Sequence, residues 1–169
     1  MTVTSLTTNQ DLDPRRLREA FGTFPSGVVA VAARVDDDLF GLAASSFTSV
    51  SLEPALVSFS VANSSKTWPI LRQASHLGLT VLADHHSDVC RQLAGPVQTR
   101  FDRLDVETTE QGAATIQDGL ARFDCTIYRE VEAGDHTVVL LRLHDVAHAD
   151  TSLPLVFHRS AFGRLEASA

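Results

Sequence analysis

Four short stretches hold the residues best suited to chemistry. The longest is Gly41–Pro54, reading GLAASSFTSVSLEP, with one aromatic side chain, Phe47, and one charge, Glu53, among small and hydroxyl residues. Missing bulk leaves backbone amides and hydroxyls free to bond a planar heterocycle at its edge, although an ordinary Ser/Thr-rich strand and loop has the same composition. The second, Ser64-Ser65-Lys66-Thr67, stands before a helix signal, Trp68-Pro69-Ile70-Leu71-Arg72-Gln73-Ala74, and holds the chain's one lysine. Hydroxyls, free amides and an ammonium at a helix start can gather a phosphate, or can serve as a plain cap. The third is Gly134-Asp135-His136 at the mouth of a strand. An imidazole titrating near neutrality can donate a proton or hydrogen bond to a ligand, or can bond its own turn. The fourth is His158-Arg159, where the guanidinium either clamps a phosphate or remains a surface charge.

Other chemistries lack their residues. No G-x-G-x-x-G follows a strand and no G-x-x-x-x-G-K-[ST] occurs, so neither a Rossmann pyrophosphate turn nor a P-loop is supported. G-x-S-x-G and C-x-x-C are missing too, and His85 and His86, as neighbours, would diverge on a helix, so no metal site is expected. Three adjacent aspartates, Asp36-Asp37-Asp38, lack the glycine and terminal glutamate of a calcium loop and read as a solvated turn.

The elements that must position these stretches are mostly strands. A short helix signal, capped by Asp13 with Pro14 in its first turn and Leu17 and Phe21 on one face, ends at Gly22. Val28–Val35 reads as a buried strand that turns at Asp36–Asp38 into Leu39-Phe40-Gly41, and Leu56–Ala62 alternates hydroxyl and apolar residues. Leu77–Ala83 is a further strand, Asp84–Ala94 a capped helix closed by Gly95-Pro96, and Val97–Asp118 an excursion without strong period. Leu120–Glu130 and His136–Ala149 form two long strands joined near Gly134, followed by a last strand or paired edge over Leu155–Leu165. Roughly six to eight strands joined mostly by hairpins predict a mainly β protein, an antiparallel barrel with a few short flanking helices.

Composition bounds the rest. The 169 residues fit one domain, placed at 12–169, preceded by a polar, aperiodic tail over 1–11 that is expected to be disordered and lacks the pattern of a signal peptide. No apolar run approaches the roughly 20 residues needed to cross a bilayer, so a cytoplasmic protein with no membrane partner is expected. Cys90 and Cys125 fall within apolar patterns and read as buried thiols. A formal net charge of −7 argues against nucleic acid as a partner and requires a local basic site for any anionic small ligand.

In their order and spacing these residues resemble the short-chain flavin reductases, the FMN-binding split-barrel reductases of two-component monooxygenases, from Leu17 to Leu165. Phe24-Pro25-Ser26-Gly27-Val28, the Ser46–Leu52 core of the long stretch, Ser65-Lys66-Thr67-Trp68-Pro69, Gly134-Asp135-His136 and Phe157-His158-Arg159 carry the resemblance. It implies a homodimer of antiparallel split barrels that binds FMN or FAD, reduces it with NADH or NADPH, and supplies a flavin-dependent monooxygenase. It also implies that Leu39, Phe40, Gly41, Leu42 and Ala43, with Ser45 and Ser46, border the isoalloxazine, and that Ser60, Val61 and Ala62 line the same pocket. By the same resemblance Lys66 and Thr67 hold the phosphate and Gln92 and Leu93 stand at a flavin contact. His158, Arg159, Ser160 and Ala161 meet the nicotinamide nucleotide, and His136 is the catalytic histidine beside the hydride path.

Five positions depart from the family's usual residues: Ser45 replaces asparagine or glutamine, Gln92-Leu93 replaces a cation followed by phenylalanine, Ala55 a second proline and His158 a tyrosine. The shorter Ser45 and uncharged Gln92 predict a modest flavin affinity or an altered flavin preference. Two neighbouring readings share the fold: a module that holds flavin without turnover, and an oxidase or oxygenase that retains its flavin.

Overall fold

The computed structural model describes residues 12–150 and 152–165; the tail predicted over 1–11 lies outside the described residues. Helix α1 (Pro14–Phe21) begins where Asp13 accepts a hydrogen bond from the Arg16 amide. Twelve strands follow, starting with β1 (Ser26–Gly27), β2 (Val29–Val35), β3 (Asp38–Ala44), β4 (Thr48–Leu52) and β5 (Ala55–Ala62). Helix α2 (Trp68–Leu71), β6 (Leu77–Val81) and helix α3 (Ser87–Leu93) come next, then β7 (Val106–Thr108) and β8 (Ala114–Ile116). Two long strands, β9 (Ala121–Ala133) and β10 (His136–His148), precede a closing hairpin of β11 (Leu155–His158) and β12 (Ala161–Arg164).

One antiparallel sheet dominates, in the order β3-β2-β6-β9-β10-β5-β4, and it does not close on itself, as a split barrel requires. β2 explains the two-sided packing. Its side chains alternate between two cores: Val29, Val31 and Ala33 meet Phe59, Leu79 and Leu141, while Ala30, with Val28 just before it, meets Leu82, Leu93 and Leu155. A strand buried on both faces needs the continuous apolar run that β2 has. Close approach of the small hairpin β7–β8 fixes Gly78 on β6, where an added Cβ would lie 2.0 Å from the Ala114 carbonyl oxygen.

Tight turns set the register. Asp36 (φ 49°) and Asp37 (φ 69°) form the two-residue connection between Val35 and Asp38, a positive-φ pair that asparagine and aspartate tolerate. Gly134 (φ 69°) opens the turn between Ala133 and His136.

Three elements differ from the sequence expectation. α2 stops at Leu71 rather than Ala74, because the Gln73 and Ala74 amides bond carbonyls only three residues back and tighten the chain out of the α-helix. The helix expected over Asp84–Ala94 divides into a 3₁₀ turn at Asp84–His86 and α3, with His86 Nδ1 accepting the Ala83 amide at 3.2 Å. The excursion after Val97 contains the β7–β8 hairpin, whose three-residue strands are too short to show a period. Both cysteines are free and buried, as their patterns predicted, and burial followed by the neighbouring Asp124 charge pushes the Cys125 thiol up to about 12.

Candidate functional site

β3 lies at one edge of the sheet and is paired only with β2. Antiparallel pairing directs backbone groups of alternate residues away from the partner strand, and the Gly41 carbonyl, which accepts from Arg100 Nη1 at 2.7 Å, belongs to that outward set. By the same alternation the outward groups of Ala43 lie along the one open edge. In front of them is a crevice of about 380 Å³, walled by Leu42–Ser46 from the end of β3, by Ser60, Val61 and Ala62 from β5, and by Ser65 and His136. Three segments more than a dozen residues apart in sequence thus meet where the sequence placed a planar ligand.

The serines have separate duties. Ser46 bridges the two walls: its hydroxyl accepts the Ser60 amide at 2.8 Å and donates to the Ser60 carbonyl at 3.2 Å, which holds the start of β4 against β5. Ser45 is exposed, and Ser65 accepts the Trp68 amide at 3.2 Å while keeping its own hydroxyl proton for another partner. Ser60 meets Ser46 only through its backbone, so three serine hydroxyls, those of Ser45, Ser60 and Ser65, are left to face a ligand.

His136 owes its place to β5. It pairs in register with Ala62, and Asn63 ties its turn down: the Asn63 amide donates to the Asp135 carbonyl, the Asn63 side-chain amide donates to the Gly134 carbonyl, and Thr137 donates to Asn63 Oδ1. The ring's Nδ1–H donates to Asp135 Oδ1 at 2.8 Å, and that bond, with the imidazole's charge, holds the Asp135 carboxyl below its usual range. With Nδ1 engaged, Nε2 is the ring nitrogen left for a ligand.

Beyond Ala43 a second cation besides Lys66 reaches the β3 edge. Arg100 Nε donates to the Gly95 carbonyl at 2.9 Å, and its Nη1 donates to Gly41 and to Thr67 Oγ1 at 2.8 Å. All three acceptors are neutral, and burial pulls the guanidinium's pKa down. Thr67 is itself buried, so its hydroxyl serves this contact, whereas Lys66 is exposed beside Ser65.

The predicted positions therefore divide. Leu42, Ala43, Ser45, Ser46, Ser60, Val61, Ala62 and His136 come together. Gly41 contributes its backbone, since a Cβ there would meet the Phe101 ring at 2.6 Å. Phe40 packs against the main core and Leu39 pairs with Arg34 beside the acidic turn, so neither borders the crevice. Gln92 does not contact the crevice either: its amide donates to the carbonyls of Thr99, Arg100 and Asp102, and Leu93 is buried in the second core. A cation followed by phenylalanine does stand nearby at Arg100-Phe101, within the excursion expected over Val97–Asp118: Arg100 bonds the Gly41 carbonyl and Phe101 packs against the second core. His158–Ala161 forms the exposed β11–β12 turn, with Arg159 and Ser160 lining a second crevice of about 380 Å³ that shares Ser45 with the first.

Comparison with known proteins shows which family has this fold. The family described as "Flavin reductase like domain" matches residues 21–166. "FMN reductase (NADH) SmoA" of Agrobacterium fabrum is 38% identical over 150 residues, covering 89% of this chain and 85% of that protein. "Flavin-dependent monooxygenase, reductase subunit HsaB" of Mycobacterium tuberculosis is 30% identical over 157 residues, covering 92% and 84%. Among solved structures, the NADH:FAD oxidoreductase SgcE6 of Streptomyces globisporus C-1027, in complex with NAD and FAD fragments, superposes with a TM-score of 0.89 at 30% identity over 97% of this chain and 99% of that one.

Proposed function

This chain belongs to the flavin reductase-like family, and from that premise we propose that it moves hydride from NADH to FMN or FAD at the crevice between β3 and β5 and passes the reduced flavin to a monooxygenase component. It is an oxidoreductase that uses flavin and NAD(H). The observation that carries the reading is the meeting of Leu42–Ser46, Ser60–Ala62 and His136 around one cavity.

The residues present fit a flavin. Apolar walls from Leu42, Val61 and the alanines suit the faces of a flat ring, and the open backbone edge of β3 with Ser45 offers hydrogen bonds to its polar rim. Lys66, exposed next to Ser65, and Arg100, bonded to neutral acceptors only, supply positive charge for the phosphate end. When bound, the flavin ring provides the electron acceptor, and the protein's part is orientation and electrostatics. β3 and β5 hold the ring so that a second ring can stack against it. Asp135 takes the Nδ1–H of His136 and leaves Nε2 to face the ligand; in the imidazolium form, which the adjacent carboxylate favours, Nε2–H can donate toward negative charge developing there.

The finer parts of the reading have separate support. Val50 and Leu52 on β4 and Tyr128 and Val131 on β9 are exposed in the single chain, which suits their burial in a homodimer. Buried, free thiols suit a reducing cytoplasm. Steady-state NADH oxidation with FMN, FAD or riboflavin, at protein concentrations far below the flavin, tests the whole: turnover is expected, and a protein that only quenches flavin fluorescence, or that keeps its flavin through gel filtration, belongs to a different class.

A further inference from the structure

His136 stands at the tip of a long hairpin, where packing offers little support. β9 and β10 are 13 residues each, and Gly134-Asp135 joins them. Residues 131–135 are exposed throughout, and among the described residues a Cβ added at Gly134 would meet nothing within 4 Å. Exposed hairpin ends open locally at low cost unless they are bonded down.

Asn63 supplies those bonds. Its backbone amide donates to the Asp135 carbonyl at 2.9 Å, its Nδ2 donates to the Gly134 carbonyl at 3.1 Å, and its Oδ1 accepts the Thr137 hydroxyl at 2.9 Å. The one side chain therefore grips the turn on both sides of Asp135-His136, the pair that is itself joined through Nδ1 and Oδ1. Both ends of the amide are used, one as donor and one as acceptor, a combination that neither aspartate nor serine reproduces. Asn63 also follows directly on Ala62, the last β5 residue of the crevice wall, and the Ser65 amide closes a turn onto the Ala62 carbonyl at 2.9 Å. The wall that faces the ligand and the clamp on the His136 turn are thus one continuous segment.

We propose that Asn63 is a positioning residue of the hydride site: with Thr137 it clamps the Gly134-Asp135 turn and so sets the distance and aim of His136 Nε2 across the crevice. What His136 does there rests on the reductase reading; that Asn63 holds the ring does not. Without the side-chain amide, the Gly134 carbonyl and the Thr137 hydroxyl turn to water and the turn gains freedom. Nε2 then spends only part of its time within reach of the reacting ligand, and small misplacements of that kind are costly in rate.

Single-turnover stopped flow with NADH and FMN tests this. Asn63→Ala should slow hydride transfer by about three- to tenfold, and by no more than His136→Ala does. Thr137→Val should give a smaller loss, and Thr137→Ser, which keeps the hydroxyl, should recover it. Loss of a merely structural contact lowers Tm and carries the same rate penalty whatever stands at position 136. Action through the imidazole instead predicts that Asn63→Ala costs less than about twofold once His136 is already alanine. Equal losses in the two backgrounds, or an unchanged rate in Asn63→Ala where His136→Ala is slow, overturn the assignment. Long-range proton–nitrogen NMR of the histidine rings gives a readout that needs no turnover. In the wild type the neutral His136 ring should carry its proton on Nδ1, and Asn63→Ala should move part of the population to Nε2–H. Identical ring shifts in the two proteins remove the clamp. Altered shifts uphold it even if His136→Ala leaves hydride transfer untouched, a result that would count against the histidine's role and not against its positioning.

Discussion

Arg100→Ala is the perturbation with the largest calculable consequence. The guanidinium makes three hydrogen bonds, to Gly41, Gly95 and Thr67, and so joins the β3 edge, the end of α3 and the segment before α2. Hydrogen bonds to charged groups contribute about 1.5–3 kcal/mol each, but the freed carbonyls stand beside a crevice where water can replace the donor, so the lower end of that range applies. Desolvation of the charge offsets part of the gain, since burial already depresses the Arg100 pKa. A net loss of about 2–4 kcal/mol is expected, which for a domain of this size corresponds to a fall in Tm of roughly 5–12 °C. Flavin affinity should fall further than stability alone explains, because the outward edge of β3 loses its anchor at Gly41. Thermal melts by circular dichroism and flavin titration by fluorescence measure the two effects. Arg100→Lys, which can keep one or two of the bonds, should lie between. A variant that melts within 2 °C of the wild type and binds FMN equally well would show that the arginine bridges nothing of consequence.

Three further expectations follow from the same geometry. His136→Ala should slow hydride transfer in single-turnover stopped flow by about tenfold or more, with stability nearly unchanged because the side chain is 45% exposed; an unaltered rate takes the histidine out of the mechanism. Lys66→Ala should weaken FMN binding by only a fewfold, as an exposed, screened charge does, and leave riboflavin binding unaltered; equal losses for both place Lys66 away from the phosphate. His86 has its pKa lowered from the usual 6.5, first by burial and then by the His85 charge. The unfolded chain therefore takes up a proton before the folded one, so stability is full above about pH 6.5 and declines as pH falls toward the lowered value. Melts between pH 7.5 and 5 should slope less in His86→Asn, and parallel slopes would show that His86 does not carry the effect.

How much of this was legible in the sequence depended on the range of the interaction. The hairpins were legible because each is local: the Asp36-Asp37 turn, the Gly134 turn and the alternation of β5 are written within a few residues of one another. The crevice was legible for a related reason, since a wall that must admit a flat ligand needs a run of small residues, and Gly41–Ser46 is such a run. Side-chain partners across the fold left no comparable trace. Nothing local distinguishes Thr67, whose hydroxyl bonds an arginine 33 residues away, from a hydroxyl waiting for phosphate. Gln92 looked like a weakened ligand contact because its neighbours in sequence fix only its place on a helix, whereas the three carbonyls it binds come from a turn beyond Gly95-Pro96. Arg100, eight residues on and just past a 3₁₀ turn that leaves no period in the sequence, puts a positive charge on the β3 edge that Gln92 does not. An uncharged Gln92 therefore weakens flavin binding only if Arg100 does not serve the same phosphate, whereas the short side chain of Ser45 acts whatever Arg100 does.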